Sequence, residues 1–364
     1  MKGLVLAGGA GTRLRPLTAT SAKQLVPIAN KPILFYGLED LAQAGIADVG
    51  MIVGDTAPEV EEAVGDGSRF GLKVTYIHQS EPLGLAHCVL IARDYLGDDD
   101  FVMYLGDNLL RHGVSRFVAS FEEERRVASV KGERGPSAQI LLARVPDPQR
   151  FGVAELGEAG EVVRLVEKPV EPPSDLALVG VYLFDASIHE AVASIRPSAR
   201  GELEITDAIQ WLIDHGHRVK SQVVEGYWKD LGEREALLEG NRLVLEDLQP
   251  RNDGIVDANS RIEGRVVIEA GARILNSVVR GPAIIGERTI VEDSYIGPFT
   301  SIYHDCEIVR SEIDYSVIMA RTKIVDAGRV VESLIGKDVT IGRHDGRPRA
   351  LRLMVGDNSR VDLV

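Results

Sequence analysis

Two cysteines, Cys88 and Cys306, are all that the 364 residues contain, too few and too far apart for a disulfide framework or a thiolate metal site. Both read as small buried hydrophobes. No stretch approaches the roughly 20 consecutive apolar residues that span a bilayer, so membrane insertion is not expected. The start, Met1-Lys2-Gly3-Leu4-Val5-Leu6, is too short an apolar stretch for a signal sequence and runs into glycines, which gives the expectation of a cytoplasmic protein. A serine nucleophile elbow, a zinc-type histidine cluster and a cysteine nucleophile are all missing, and the eight histidines are scattered. Acidic side chains are absent from the first 38 residues, which hold Lys2, Arg13, Arg15, Lys23 and Lys31, although the chain carries a net charge of −14. That overall charge argues against nucleic acid, whose binding needs many phosphates neutralised. The basic start is therefore a local device for a small anion.

The length predicts two domains, and the sequence divides into unlike halves. Residues 1 to about 240 alternate short apolar runs with amphipathic stretches, the pattern of an α/β, Rossmann-like domain with a mostly parallel sheet. Strands are expected at 3–7, 49–53, 74–78, 101–105, 138–145, 162–167, 179–184 and 219–224. Helices are expected at 33–44, 58–64, 85–95, 114–124, 187–195 and 206–215. Ligands of such sheets bind beyond the carboxyl ends of strands, where both Gly8 to Arg13 and Gly106-Asp107-Asn108 fall.

After a linker at 241–255 the period changes. Val256, Ile262, Ile268 and Ile274 recur every six residues, and after a slip Ile285, Val291, Ile296 and Ile302 continue at five or six. Such a repeat is the signature of a parallel β-helix, expected over 256–345 with about five triangular coils and a tail at 346–364. The region resembles the left-handed hexapeptide-repeat helix of sugar-nucleotide enzymes and acyltransferases, and its flat faces suggest a homo-oligomer.

Gly8-Gly9-Ala10-Gly11-Thr12-Arg13 directly follows the apolar run at 3–7, so a strand would deliver bare backbone N–H groups to an anion, with Arg and Lys adding charge. The motif lacks a P-loop ending and the dinucleotide spacing, and the glycines alone also fit a plain strand-to-helix turn. A wider window is more specific. Residues 8–18, followed by Lys23-Gln24-Leu25-Val26-Pro27 and Lys31-Pro32-Ile33, resemble the signature of sugar-1-phosphate nucleotidyltransferases, in particular the glucose-1-phosphate thymidylyltransferase branch whose long form carries a C-terminal β-helix. Further stretches resemble family motifs in family order: 79–86, 105–108, 150–153, 167–169, 200–207 and 228–232. Phe151 departs from the Tyr usual in short-form bacterial enzymes, which puts a hydroxyl contact to the sugar in doubt.

The resemblance implies transfer of a thymidylyl group from dTTP to α-D-glucose 1-phosphate, with Mg²⁺ as cofactor. Two anions must meet, so positioning and positive charge should dominate the chemistry. By resemblance, Asp107 and Asp230 hold the metal, a hard cation that takes one or two protein carboxylates. Arg13, Lys23 and Lys168 are the catalytic cations. The nucleotide site takes in Leu6, Gly8, Gly9, Gly11, Thr12, Arg13, Gln79, Gly84 and Asp107, with the Gln79 amide facing the pyrimidine edge. Gly152, Glu167, Lys168 and Arg200 receive the sugar phosphate. Three alternatives stay open: UTP or a broader substrate range, an acetyltransferase activity in the β-helix using His304 or His344, and a non-catalytic nucleotide sensor.

Overall fold

The computed structural model describes residues 1–9, 11, 14, 15, 17 and 22–343. Two compact units divide the chain, one built from Met1–Ala10 and Ile33–Asp230, the other from Gly11–Pro32 and the chain from Leu231 onward. Among the described residues no helix is long and apolar enough to cross a membrane.

The first unit is an α/β sheet. Strands β1 (Lys2–Leu6), β2 (Asp48–Val53), β3 (Lys73–His78) and β4 (Phe101–Leu105) form its parallel part in the order β4-β1-β2-β3. Strand β1 lies between two neighbours and is buried from Gly3 to Leu6, which is why it reads as an unbroken apolar run rather than an alternation. A short strand β5 (Asn108–Leu110) follows β4. Beyond β4 the sheet continues through antiparallel partners: the nine-residue, fully buried β9 (Leu176–Phe184) pairs β6 (Ala138–Arg144) along one edge and, along the other, β4 through Val181–Phe184 and, at Ala177, the hairpin of β7 (Gly152–Leu156) with β8 (Val162–Glu167). Strand β10 (Val219–Val223) runs parallel to β6, and β11 (Trp228–Asp230) pairs antiparallel with β5 as a separate two-stranded ribbon. Helices α1 (Ile33–Gln43), α2 (Ala57–Val64), α3 (Leu85–Ile91), α4 (Ser115–Lys131), α5 (Ile188–Ser194) and α6 (Ile205–Asp214) connect the strands. The expected helix at 114–124 extends to Lys131. Its second half is polar and solvated, supported by the Glu123–Arg126 pair one turn apart, so it carries no apolar period to read.

In the second unit, helix α7 (Arg234–Glu246) occupies the start of the expected linker. Ala29, Leu245, Val267 and Ile284 share one buried cluster, which is how residues 22–32 come to pack with the repeats. Asn241 on α7 binds the same groups by hydrogen bonds: its Oδ1 accepts from Ala29 N at 2.8 Å and Ser301 Oγ at 2.8 Å, and its Nδ2 donates to Phe299 O at 3.0 Å. Asn30 Nδ2 reaches Ile302 O at 2.7 Å.

The repeats stack as three parallel ladders whose inward residues stand in register. One runs Ile268, Ile285, Ile302, Ile318, Ile335; the next Val256, Ile274, Val291, Ile308, Ile324, Ile341; the third Ile262, Val279, Ile296, Ile313, Val330. Ile268 to Ile285 is 17 residues, because Ile274 to Val279 takes five while its neighbours take six. Val256 to Ile262 takes six residues, whereas the corresponding faces Ile274 to Val279, Val291 to Ile296 and Ile308 to Ile313 take five, which explains the slip in the sequence period. Corners between faces are turned by non-glycine residues in the left-handed region, among them Arg288, Asp305, Arg321 and Asp338 along one edge and Asn276, Asp293, Arg310 and Asp326 along another. Neighbouring corners carry opposite charge. Arg288 grips Asp305 through two bonds of 2.7 and 2.9 Å, Arg310 grips Asp326 and Arg321 grips Asp338, each through bonds of 2.6 and 2.7 Å.

Candidate active site

The carboxyl edge of the parallel strands collects most of the expected site residues of the first unit. Leu6 and Leu105 are register partners at the ends of β1 and β4, so Gly8-Gly9 and Asp107 leave the sheet side by side. Bonds from Ala7 N to Ile52 O (2.8 Å) and from Gly106 N to Leu6 O (3.0 Å) carry the sheet pairing one residue beyond the strands. Gly8 passes so close to the turn after β2 that a Cβ would sit 3.3 Å from Gly54 N, and one on Gly54 would sit 2.9 Å from Gly8 O. Glycine is needed here for backbone proximity, and the exposed N–H groups suit an anion.

Gln79 leaves β3 at the same edge, its N–H bound to Val53 O at 2.9 Å. Its side-chain nitrogen lies 3.4 Å from Gly84 O and 3.0 Å from His87 Nδ1. Gly84 has φ of +102°, and a Cβ there would meet Leu203 O at 2.5 Å, so the glycine serves the loop's own packing. Leu203 N binds Leu83 O at 2.7 Å and Ala86 N binds Leu203 O at 3.0 Å, tying the Gln79 loop to the segment that carries Arg200, Glu204 and Thr206. Burial pushes the neighbouring Cys88 thiol up to about 12, with Gln79 pulling the other way, and burial lifts Cys306 to about 11, so both cysteines are inert at neutral pH.

Asp107 and Asp230 are joined by the ribbon. In the β5–β11 register Asp230 faces Asn108, one residue from Asp107, although 123 positions separate the two carboxylates in sequence. Asn108 is buried and organises the pair. Its Nδ2 donates to Asp107 Oδ1 at 3.1 Å, and its Oδ1 accepts from Trp228 Nε1 at 2.6 Å and Gly180 N at 3.2 Å. A Cβ on Gly180 would fall 2.7 Å from Asn108 Nδ2, which explains a glycine in the middle of β9. Phe151 packs edge-on against Trp228 with ring centroids 5.3 Å apart. Two carboxylates fit a hard divalent cation that completes its shell with water and substrate phosphates; among the described residues no cluster of three or more such ligands competes.

Glu167 ends β8 opposite Gly152, where a Cβ would stand 3.0 Å from Glu167 Oε2. Thr206 donates to that oxygen at 3.3 Å, while the other carboxylate oxygen has Arg200 at 3.2 Å and Lys168 at 3.8 Å. Lys168 has φ of +41°, an uncommon backbone for a lysine and one held by its N–H bond to Phe151 O at 3.0 Å. Burial, and then the charges of Glu167 and Asp230, hold the Tyr182 hydroxyl well above its ordinary value. Burial also raises Glu204. Arg200 differs from expectation. Its guanidinium lies 2.9 Å from Glu202 and 3.5 Å from Glu204 as well as against Glu167, and these charges outweigh burial and raise its pKa. Three carboxylates already occupy the group expected to clamp a phosphate.

Thr12 and Arg13 lie outside the described residues, as does His344. Gly11 (φ +59°) and Lys23, in a single turn of 3₁₀ helix, belong to the second unit. His304 is bound to Asp305 at 2.6 Å. Sequence reasoning assigned no role to Asn108, Trp228 or His87. The first two stand inside the motifs quoted for Asp107 and Asp230, the only local signal of their importance.

Comparisons with known proteins give the family. Residues 2–247 match the nucleotidyl transferase family. A glucose-1-phosphate thymidylyltransferase from Streptomyces griseus is 58% identical over 363 residues, covering 100% of this chain and 99% of its own length. A nucleotidyltransferase of low-salt glycan biosynthesis from Haloferax volcanii is 46% identical over 367 residues, with 100% of both chains covered. Among solved structures, a Bacillus anthracis chain assigned as a glucose-1-phosphate thymidylyltransferase superposes with a TM-score of 0.62 at 34% identity, covering 69% of this chain and 98% of that one. With a strand-end glycine turn, a carboxylate pair and a full-length match together, the chain belongs to the nucleotidyl transferase family, in its glucose-1-phosphate thymidylyltransferase branch.

Proposed function

We propose that this chain joins dTTP to α-D-glucose 1-phosphate, giving dTDP-glucose and pyrophosphate. An oxygen of the sugar phosphate forms a bond to the α-phosphorus, the bond from that phosphorus to the β-phosphate oxygen breaks, and the electron pair leaves with pyrophosphate. The attacking oxygen is already ionised, so no general base is required. What must be overcome is repulsion between anions.

The observation that supports this most is the ribbon register, in which Asp230 faces Asn108, the residue after Asp107, while Asp107 follows the strand whose neighbour leads into the glycine turn. These two side chains would hold Mg²⁺, which when bound offsets phosphate charge and orients the triphosphate. Backbone N–H groups at Gly8 and Gly9 suit the phosphates, and Gln79 suits the base. Glu167 accepts from sugar hydroxyls, and Lys168 places a compact charge for the sugar phosphate. Arg200, engaged by Glu167, Glu202 and Glu204, fits better as a support for Glu167 than as a phosphate clamp. Arg13 and Lys23 are proposed as further cations for the phosphates on the strength of the motif alone.

Nucleotide choice is tested by presenting dTTP, UTP, ATP and GTP in turn with glucose 1-phosphate and measuring pyrophosphate release. The expected result is the highest kcat/KM with dTTP. A clear preference for any of the other three overturns the thymidylyl assignment.

A further inference from the structure

Gln79 is held in one orientation. Gly84 O can only accept a hydrogen bond, so the Gln79 end that faces it, at 3.4 Å, is the amide nitrogen. The same nitrogen lies 3.0 Å from His87 Nδ1, which must then accept, with the imidazole proton on Nε2. His87 stands one residue before Cys88 on α3, and Cys88 Sγ also approaches Gly84 O, at 3.6 Å, so the first turn of this helix surrounds the amide nitrogen from one side. The Gln79 carbonyl oxygen takes no hydrogen bond among the described residues.

We propose that His87 is a specificity-determining positioning residue: by fixing the Gln79 amide with its oxygen outward, it selects an imide base edge and rejects cytosine. This rests on the reading of Gln79 as the base contact. Thymine and uracil present N3–H, a donor that an outward carbonyl accepts. At the position of that N3–H cytosine presents a bare N3, whose lone pair an outward carbonyl repels and which can accept only from the amide nitrogen with the amide turned over; its amino group could donate to the carbonyl only with the base displaced from that position. An unrestrained glutamine serves both edges by rotating about its last bond. Turning it over here sets its oxygen against Gly84 O and forces the His87 ring to change tautomer, so the cytosine edge is refused by the pocket rather than by the glutamine itself.

The test compares kcat/KM for dTTP and dCTP, each with glucose 1-phosphate, in the native chain and in Gln79→Leu, His87→Leu and His87→Asn. Losing one neutral hydrogen bond corresponds to roughly a three- to tenfold fall in the dTTP/dCTP ratio for His87→Leu. The change should appear in KM, with kcat on dTTP retained. His87→Asn should restore the ratio, because its Oδ1 can accept where Nδ1 did; a merely structural histidine would not be rescued in this way. Should the leucine variant not fold, His87→Ala gives the same comparison. A native ratio in His87→Leu, alongside a collapsed ratio in Gln79→Leu, overturns the role of His87 and leaves the base site standing. A native ratio in Gln79→Leu removes the base site and the proposal with it.

Discussion

At the scale of single residues, Asn108 shows how a small amide can support the proposed metal site without being a ligand itself. Its two side-chain atoms serve three partners, and its backbone oxygen accepts from the Tyr104 hydroxyl at 3.3 Å. Asn108→Ala leaves the Trp228 indole N–H and the Gly180 N–H without their acceptor in a buried setting, a cost of about 1–3 kcal/mol. Thermal or urea unfolding should register that loss, together with reduced turnover as Asp107 and Asp230 loosen. Asp107→Asn should behave differently: turnover falls by about two to three orders of magnitude while the unfolding midpoint barely moves. Near-native turnover in that variant removes Asp107 from the metal site. Asp107, Glu167 and Lys168 were legible because each closes a strand within a recognisable motif. The bond from Trp228 to Asn108 was not, since nothing local in either stretch reports on a partner 120 residues away. His87 looked like one of several scattered histidines because its meaning depends on the fold of the 79–87 loop.

At the scale of elements, what could be read followed burial. Strand 101–105 begins and ends where the apolar pattern says, because a buried run leaves little choice of boundary, and 162–167 does so with only Val162 and Leu165 buried. The ribbon of β5 and β11 has three residues per strand, too few for a period, and β7 is buried only at Val153 and Ala154, which leaves no alternation to read. In the β-helix the six-residue repeat was plain, but the charge alternation at its corners appears only once coils of about 17 residues bring Arg288 over Asp305 and Arg321 over Asp338. Hydrogen bonds from these arginines, and from Arg310, hold Asp305, Asp326 and Asp338 below the ordinary aspartate range. Their folded pKa values lie below the unfolded value of about 3.9, so their stabilisation is present above about pH 4 and is lost as pH falls toward the folded values. Unfolding midpoints should therefore drop as the pH falls below about pH 4. A triple Asp→Asn variant at these corners should drop less over the same interval; an equal drop in both places the acid sensitivity elsewhere. Because these corners are exposed, high salt should shrink the difference.

At the scale of the whole molecule, the contiguous division at residue 240 expected from sequence differs from the grouping in space. Composition changes near Val256, where the period changes, but the early segment 22–32 has no repeat of its own and gives no sign that it packs with residues far along the chain. Its hydrogen-bond partners are Asn241 and Ile302, which become visible only in the folded chain. The chain passes from one unit to the other at Ala10–Gly11, at Pro32–Ile33 and at Asp230–Leu231. A single proteolytic nick after Asp230 should consequently fail to release the β-helix. The amino-terminal fragment would still own residues 22–32, folded into the other fragment and fastened at Asn241, so the two pieces should elute together on gel filtration and part only in denaturant. Removing the Asn241 fastening with Asn241→Ala should let the nicked pieces separate at lower urea. Separation without denaturant in the nicked native chain would show that segment 22–32 does not act as this tie. In such a chain the polypeptide is interlaced, and covalent continuity at any one crossing is dispensable.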